Sequence, residues 1–448
     1  MAGARVRGRG PAAQPSPTPA IPLNEAGFRR RNQILDGGER GYHCRLTDAG
    51  AAALREELRT GWEGKMPRPA RPGSRRLRTL LAVGVAMAGL SAAPASAETR
   101  SYVMTMFWHA LETTEEDCPG GINPKIEEQH EKDLVLLGYS PEEAAALIKN
   151  GYFNENAPRG WENDKLGHIM LERGRIQGKP VNAFMHPATT IDPNLITKVG
   201  RFAHGFNLDR KDVAPGNFAN PDTGEKGIDH QLARVFGCFE NMRGNMKDGS
   251  AFWLYKWSAL KETMPAWTIS VTGDDLSKDG PVQVRVGSAM EAVKFNGNGK
   301  GRHNMTYRQE QDERFAKNAY PGEIKNGRIR ITKPGDLYME QDPLLFPIFT
   351  MKQFSMDLQI NADSTVQGFI GGYQPIIEIY FAIAAPSLPS ETLYAIDFPG
   401  LYHTLRKNAD FDFDKKTGFN RSISSAYHII AVPAHVVPVT SDRRTAGN

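Results

Sequence analysis

The sequence predicts an α+β, mainly β, chain: an antiparallel β-sandwich or jelly-roll-like core with helical additions. Three observations carry this. From Trp267 onward, apolar residues recur at every second position, the period of a half-buried strand. Before Trp267, the apolar residues fall at helical spacing between long polar loops. Finally, Asn361-Ala362-Asp363-Ser364 separates two alternating runs, where a hairpin needs its turn.

The elements follow in order. Val103, Met104, Met106 and Phe107 read as a buried first strand. Residues 124–150 read as a helical hairpin. In its second helix Ser140 is an N-cap, Pro141 takes the first helical position and Glu143 completes a capping box. Gly151 is placed to stop that helix. Ile228, Leu232, Val235, Phe236 and Phe239 make one stripe of a helix over 228–239.

Strands then dominate. Trp267, Ile269 and Val271 alternate with polar residues, as do Val282, Val284 and Val286. Phe354, Met356, Leu358 and Ile360 precede the 361–364 turn, and Val366, Gly368 and Ile370 follow it. One face of this hairpin is wet, which favours antiparallel pairing. Helices near 374–384 and 399–407 interrupt the sheet. Residues 424–432 give a further apolar strand, which Pro433 should confine to an edge or an end.

Residues 75–97 set the compartment. Arg75, Arg76 and Arg78 precede a short apolar run, and Ala95-Ser96-Ala97 ends it before Glu98. That is the layout of an export signal, too short for a membrane span. Ser74-Arg75-Arg76 resembles a twin-arginine export signal, with Arg78 where an apolar residue is usual. Met66 is the expected start, so the expected division has four parts. Residues 1–65 are a mis-assigned, disordered start and 66–97 the signal. Residues 98–265 form a mixed helix and loop region, and 266–440 a β-rich region with inserted helices. Over fewer than 20 residues, 42–58, with Leu46-Thr47-Asp48-Ala49-Gly50, resemble the wing and last helix of small winged-helix regulators.

Trimming reverses the charge. The whole chain holds 55 Lys+Arg and 51 Asp+Glu; taking away the 16 basic and 7 acidic residues of 1–97 leaves 39 and 44, a net charge of −5. A mildly acidic protein has no electrostatic case for binding nucleic acid, and no second long apolar run predicts a membrane span in the mature form. The expected location is periplasmic or extracellular. Cys118 and Cys238 remain after trimming, and two cysteines in an oxidising compartment predict one disulfide.

Two acidic loops are the sharpest chemical signals. Asn408, Asp410, Asp412 and Asp414 alternate with apolar residues ahead of a Thr417-Gly418 turn. Ca²⁺ needs six to eight oxygen ligands, and this run resembles the first half of an EF-hand-type loop, with Lys415 where that loop wants glycine. The competing expectation is a strand with Phe411 and Phe413 inward and its aspartates in water. Asn207, Asp209, Asp212, Asp222 and Asp229 form the second loop, where Asp229 could equally cap a helix. If the loops meet, they could share one calcium cluster. Trp253, Tyr255 and Trp257 offer an aromatic platform for stacking on sugar rings. Met104, Met106, His109, Met185 and His186 lack any recognised metal-ligand spacing.

Three function classes follow. A calcium-stabilised binding or structural protein would hold a glycan or cell-surface partner. A secreted hydrolase would use calcium structurally and keep its catalytic acid among the carboxylates. A periplasmic metal-handling or redox protein would use methionine and histidine. A deep pocket with two inward carboxylates would favour the hydrolase, and a flat aromatic strip would favour binding.

Overall fold

In the computed structural model, the described residues are 97–152, 164–213, 216–245, 249–250, 261–340, 348–384, 391–392 and 394–438. Their alternating runs form eleven principal strands. These are β1 (Glu98–His109), β2 (Pro265–Gly273), β3 (Gly280–Ala292), β4 (Met305–Gln309), β5 (Ala319–Lys325) and β6 (Arg328–Ile331). They continue as β7 (Gly335–Glu340), β8 (Ile348–Ile360), β9 (Val366–Pro375), β10 (Phe411–Asp414) and β11 (Phe419–Pro438).

Eight of them close into a barrel. Strand β1 pairs with β2, β2 with β3, β3 with β5, β5 with β6, β6 with β8, β8 with β9 and β9 with β11, all antiparallel. Closure comes when β11 pairs antiparallel with β1, from Tyr427 opposite His109 to Ala434 opposite Ser101. Each barrel strand therefore neighbours the barrel strands next to it in the chain. Strands β4, β7 and β10 pair outside this ring.

The sandwich or jelly-roll expectation is thus corrected to a closed barrel. One wet and one dry face is the pattern of either architecture, so alternation alone does not separate them. The deciding contact joins residues more than 300 positions apart, and nothing local encodes it.

The barrel is filled. An eight-stranded barrel has an interior about wide enough for side chains alone, and this one is packed with rings. Phe107 stacks on Tyr427 at a centroid distance of 4.7 Å and meets Trp267 and Phe349 edge-on. Ile269, Val284, Met356, Leu358, Val366, Ile370 and Ile429 are buried with them. The expected 354–370 hairpin forms, with Met356 opposite Ile370 and Leu358 opposite Gly368.

Pro433 does not put β11 at an edge. The strand runs through it, 20 residues long. Its pairs with β9 end at Ala431, while Pro433 itself pairs with Tyr102 of β1. The missing N–H thus falls just past the last residue matched to β9.

Two insertions carry the helices. Residues 110–264 follow β1 and 376–418 follow β9. Since β1 and β9 are both antiparallel to β11, both insertions leave the same end of the barrel. The first holds α1 (Ile126–Leu136), α2 (Pro141–Tyr152), α3 (Lys165–Leu171) and α4 (Gln231–Phe236). The second holds α5 (Ile376–Ala384) and α6 (Phe398–Asn408). The capping box forms: Ser140 Oγ accepts from the Glu143 amide at 3.2 Å, and Glu143 Oε2 from the Ser140 amide at 2.9 Å. Helix α2 runs to Tyr152, one residue past Gly151. The Cys118–Cys238 disulfide is present and ties the start of the first insertion to the end of α4. No described helix is long and apolar enough to cross a membrane.

Candidate functional site

Where the two insertions meet the barrel rim, a cleft of about 1120 Å³ opens. It gathers five of the nine residues proposed as metal ligands: Asn207, Asp209, Asp229, Asn408 and Asp410. The acidic loops, about 180 residues apart in sequence, do meet.

Ser424 of β11 joins them. Its Oγ accepts from the Gln231 amide at the start of α4 (2.9 Å) and donates to Asp410 Oδ2 (2.7 Å). Its own amide donates to Asp410 Oδ1 at 2.7 Å. Asp229 is held from the other loop. Its Oδ2 accepts from the Leu208 and Asp209 amides at 2.7 and 3.0 Å. The Asp229 amide donates to Phe206 O, so Asp229 folds its own loop rather than capping α4. Behind both carboxylates stands Tyr373, buried and stacked on Phe411 at 4.2 Å. Strand β8 adds a bulge between Lys352 and Ser355, with Gln353 at φ 53°. A bulge re-aims side chains, and here both Gln353 and Ser355 line the cleft.

Burial raises both acids, Asp410 the more. Burial pushes Asp410 up to about 7, against the pull of Ser424, and Asp229 adds to the rise. Asp410 stays open to the cleft itself, so water there moderates the effect. The direction stands: this carboxyl keeps its proton to higher pH than an ordinary aspartate. Burial also raises Asp229, but two backbone amides draw it back. Burial, then Asp229, Asp410 and Asp209, raise the Tyr373 phenol, so its hydroxyl stays protonated. Around these acids lie Arg210, Lys211, Arg234, Lys333 and Lys407. Lys211 pairs with Asp209 at 3.1 Å and Lys407 with Asp192 at 2.6 Å.

The other four aspartates lie apart from the cleft lining. Asp212 accepts from Asn207, and Asp222 pairs with His204 at 3.1 Å. Asp412 pairs with Arg421, and Asp414 closes the β10–β11 turn through the Lys416 amide. Residues 411–414 do form a strand, but Phe413 faces outward, 61% exposed, while Phe411 turns to Tyr373. Trp253, Tyr255 and Trp257 lie outside the described residues. Met104 and His109 are buried in β1, whereas Met185 is exposed elsewhere.

A second polar cluster, fully buried, escaped the sequence reading. Arg173, just after α3, meets Asp133 of α1 at 3.0 Å, Glu391 at 3.5 Å and Asp397. Asp397 also caps α6, accepting from the Gly400 amide at 2.7 Å. His130 lies 3.1 Å from Glu391 through Nε2 and 2.7 Å from the Tyr152 hydroxyl through Nδ1. A signal existed. In α1 the buried stripe is Ile126, Gln129, His130, Asp133 and Leu134, so polar residues occupy the positions a core-facing helix gives to apolar ones.

Comparison of this chain with protein-family models, with curated proteins and with solved structures finds no match.

Proposed function

We propose that the protein is an exported hydrolase acting in the cleft on an acidic, hydroxyl-rich substrate of the glycan type. The observation that carries this is the convergence of Asp229 and Asp410, from separate insertions, in surroundings that divide their roles. Paired acids whose environments push them apart are the usual layout for acid–base work. Asp410, which holds its proton longer, is suited to protonate a leaving oxygen. Asp229, fixed by two amides, is suited to act as the carboxylate partner. The five cations around three aspartates favour a substrate that carries anionic groups. Export rests on the signal-like segment ending at Ala97 and on the disulfide.

A second reading has its own support. Asn207, Asp209, Asp229, Asn408 and Asp410 supply oxygen donors to one cleft, which suits calcium in a glycan-binding protein. Against it, no three acidic or histidine residues of the cleft bring ligand atoms within 4.8 Å of one another, among the described residues.

Release of reducing ends from acidic and neutral polysaccharides, with and without chelator, tests both. Hydrolysis is expected not to need Ca²⁺ and to fall about 100-fold or more in Asp410→Asn and Asp229→Asn. Activity should also decline as pH rises past the point where Asp410 loses its proton. No release by the unmodified protein, with chelator-sensitive retention on an acidic glycan column, overturns the hydrolase reading in favour of binding. Unchanged turnover in both variants overturns the assignment of the acids.

A further inference from the structure

The buried cluster around Arg173 has an unbalanced charge. Asp133, Glu391 and Asp397 bring three carboxylates, and Arg173 brings one guanidinium. With all three carboxylates ionised and a neutral imidazole at His130, the group as a whole would stand at two negative charges. Each member is nearly sealed from water: side-chain exposure is 0% for His130 and Glu391, 1% for Asp397, 4% for Arg173 and 6% for Asp133. Burying unpaired charge is strongly unfavourable. A divalent cation would cancel this one.

The donor geometry fits such an ion. One ligand atom each from His130, Glu391 and Asp397 lies within 4.8 Å of the others. His130 Nε2 and Glu391 Oε2 are 3.1 Å apart, yet neither atom makes a hydrogen bond. Two ligands on a tetrahedral zinc, each about 2.0–2.1 Å from the metal, sit roughly 3.3 Å apart. The observed spacing is close to that of two ligands sharing an ion. The remaining valences of these side chains are already used. Glu391 Oε1 accepts from the Phe398 amide at 2.8 Å, leaving Oε2 for the site. The Tyr152 hydroxyl holds His130 Nδ1 at 2.7 Å, which fixes the ring and leaves Nε2 for a metal. Asp397 keeps its own partners, Gly400 and Arg173, and still has lone pairs to offer.

We infer that His130, Glu391 and Asp397 form a structural site for a divalent transition ion, zinc foremost, that pins α1 to the start of α6. One imidazole with two carboxylates is a nitrogen and oxygen set that zinc accepts and calcium does not favour. Arg173 neutralises the carboxylate charge left over, and a water or a second carboxylate oxygen fills the fourth position. The site is separate from the cleft, and it stands or falls independently of the hydrolase reading.

The full chain, stripped with chelator and dialysed separately with Zn²⁺, Mn²⁺ or Ca²⁺, tests this by elemental analysis and melting. About one zinc per chain should be retained, with a raised melting temperature, because a ligand bound only by the folded state stabilises it. Glu391→Gln and His130→Gln should each lose the metal, while Asp410→Asn in the cleft keeps it. If either cluster variant fails to fold, Co²⁺ loaded into the unmodified chain decides. Intense visible bands of a four-coordinate ion support the site, and a spectrum no different from that of free Co²⁺ overturns it. Failure to retain any metal, or equal retention by both cluster variants, also overturns it.

Discussion

Breaking the Cys118–Cys238 bridge should cost the protein much of its stability. The two residues are 120 positions apart, so the bridge closes a loop holding most of the first insertion. In the chain-entropy treatment a loop of this length stabilises by about 5 kcal/mol at 25 °C, by limiting the unfolded chain. Local contacts around the bridge add to the expected loss. Asn123 donates to Cys238 O through both its amide and its side chain, at 2.8 and 3.0 Å. The buried Lys198–Asp117 ion pair, at 3.0 Å, lies beside Cys118 in sequence. The assay is urea unfolding of the oxidised protein, the reduced protein and the Cys118→Ala/Cys238→Ala double variant. The double variant and the reduced protein should agree and lie about 3–5 kcal/mol below the oxidised form. Each single variant should match the double one, since either substitution removes the bridge. A loss below about 1 kcal/mol would refute the reasoning, because the insertion would then be ordered by its own packing. Free thiols on both cysteines in protein recovered from its natural compartment would refute it more directly.

Glu378 of α5, whose carboxylate accepts from the Thr350 amide and hydroxyl at 3.1 and 2.9 Å, is pushed up to about 7 by burial. A carboxyl raised in the folded state binds its proton more tightly there than when unfolded. Its contribution is fully present below the unfolded value near 4.5 and is lost as pH rises through about 7. Unfolding free energy should therefore fall between pH 5 and 8, by up to about 3 kcal/mol from this group, and Glu378→Gln should flatten that slope in denaturant titrations. Phe107→Ala should cost about 3–5 kcal/mol in the same titrations, since its ring is wholly buried against Tyr427, Trp267 and Phe349. A cost under about 1 kcal/mol would mean that the barrel interior collapses around the gap.

Local features were legible in the sequence, and distant pairings were not. The capping box at Ser140 and Glu143 needs only residues three apart, and the 354–370 hairpin only a turn and an alternation. Both form as expected. The disulfide was legible because only two cysteines follow residue 97. The acidic loops were visible as compositions, but their meeting depends on β11, where Ser424 bonds to Asp410 and to the start of α4. Barrel closure lies beyond local reading for the same reason, since β1 and β11 stand at opposite ends of the described chain. The Arg173 cluster draws on α1, the end of α3 and the approach to α6, whose residues share no motif. Alternation puts Phe411 and Phe413 on one face, which is why both are expected inward in a strand. In β10 that alternation breaks at Asp412, whose φ is 63°, so Phe411 meets Tyr373 while Phe413 faces out.

The pairing of β1 with β11 has a consequence for how this molecule is made. A ribosome delivers the opening strand long before its last partner exists. Until that partner arrives, β1 has one neighbour and a bare margin, and the aromatic cluster around Phe107 lacks the Tyr427 ring. Sheets joined across great sequence distance assemble slowly and expose sticky margins meanwhile. Because Ser424 sits on that same final strand, the cleft cannot assemble before the seam is sewn. Any premature stop that removes β11 should therefore abolish the site together with the barrel.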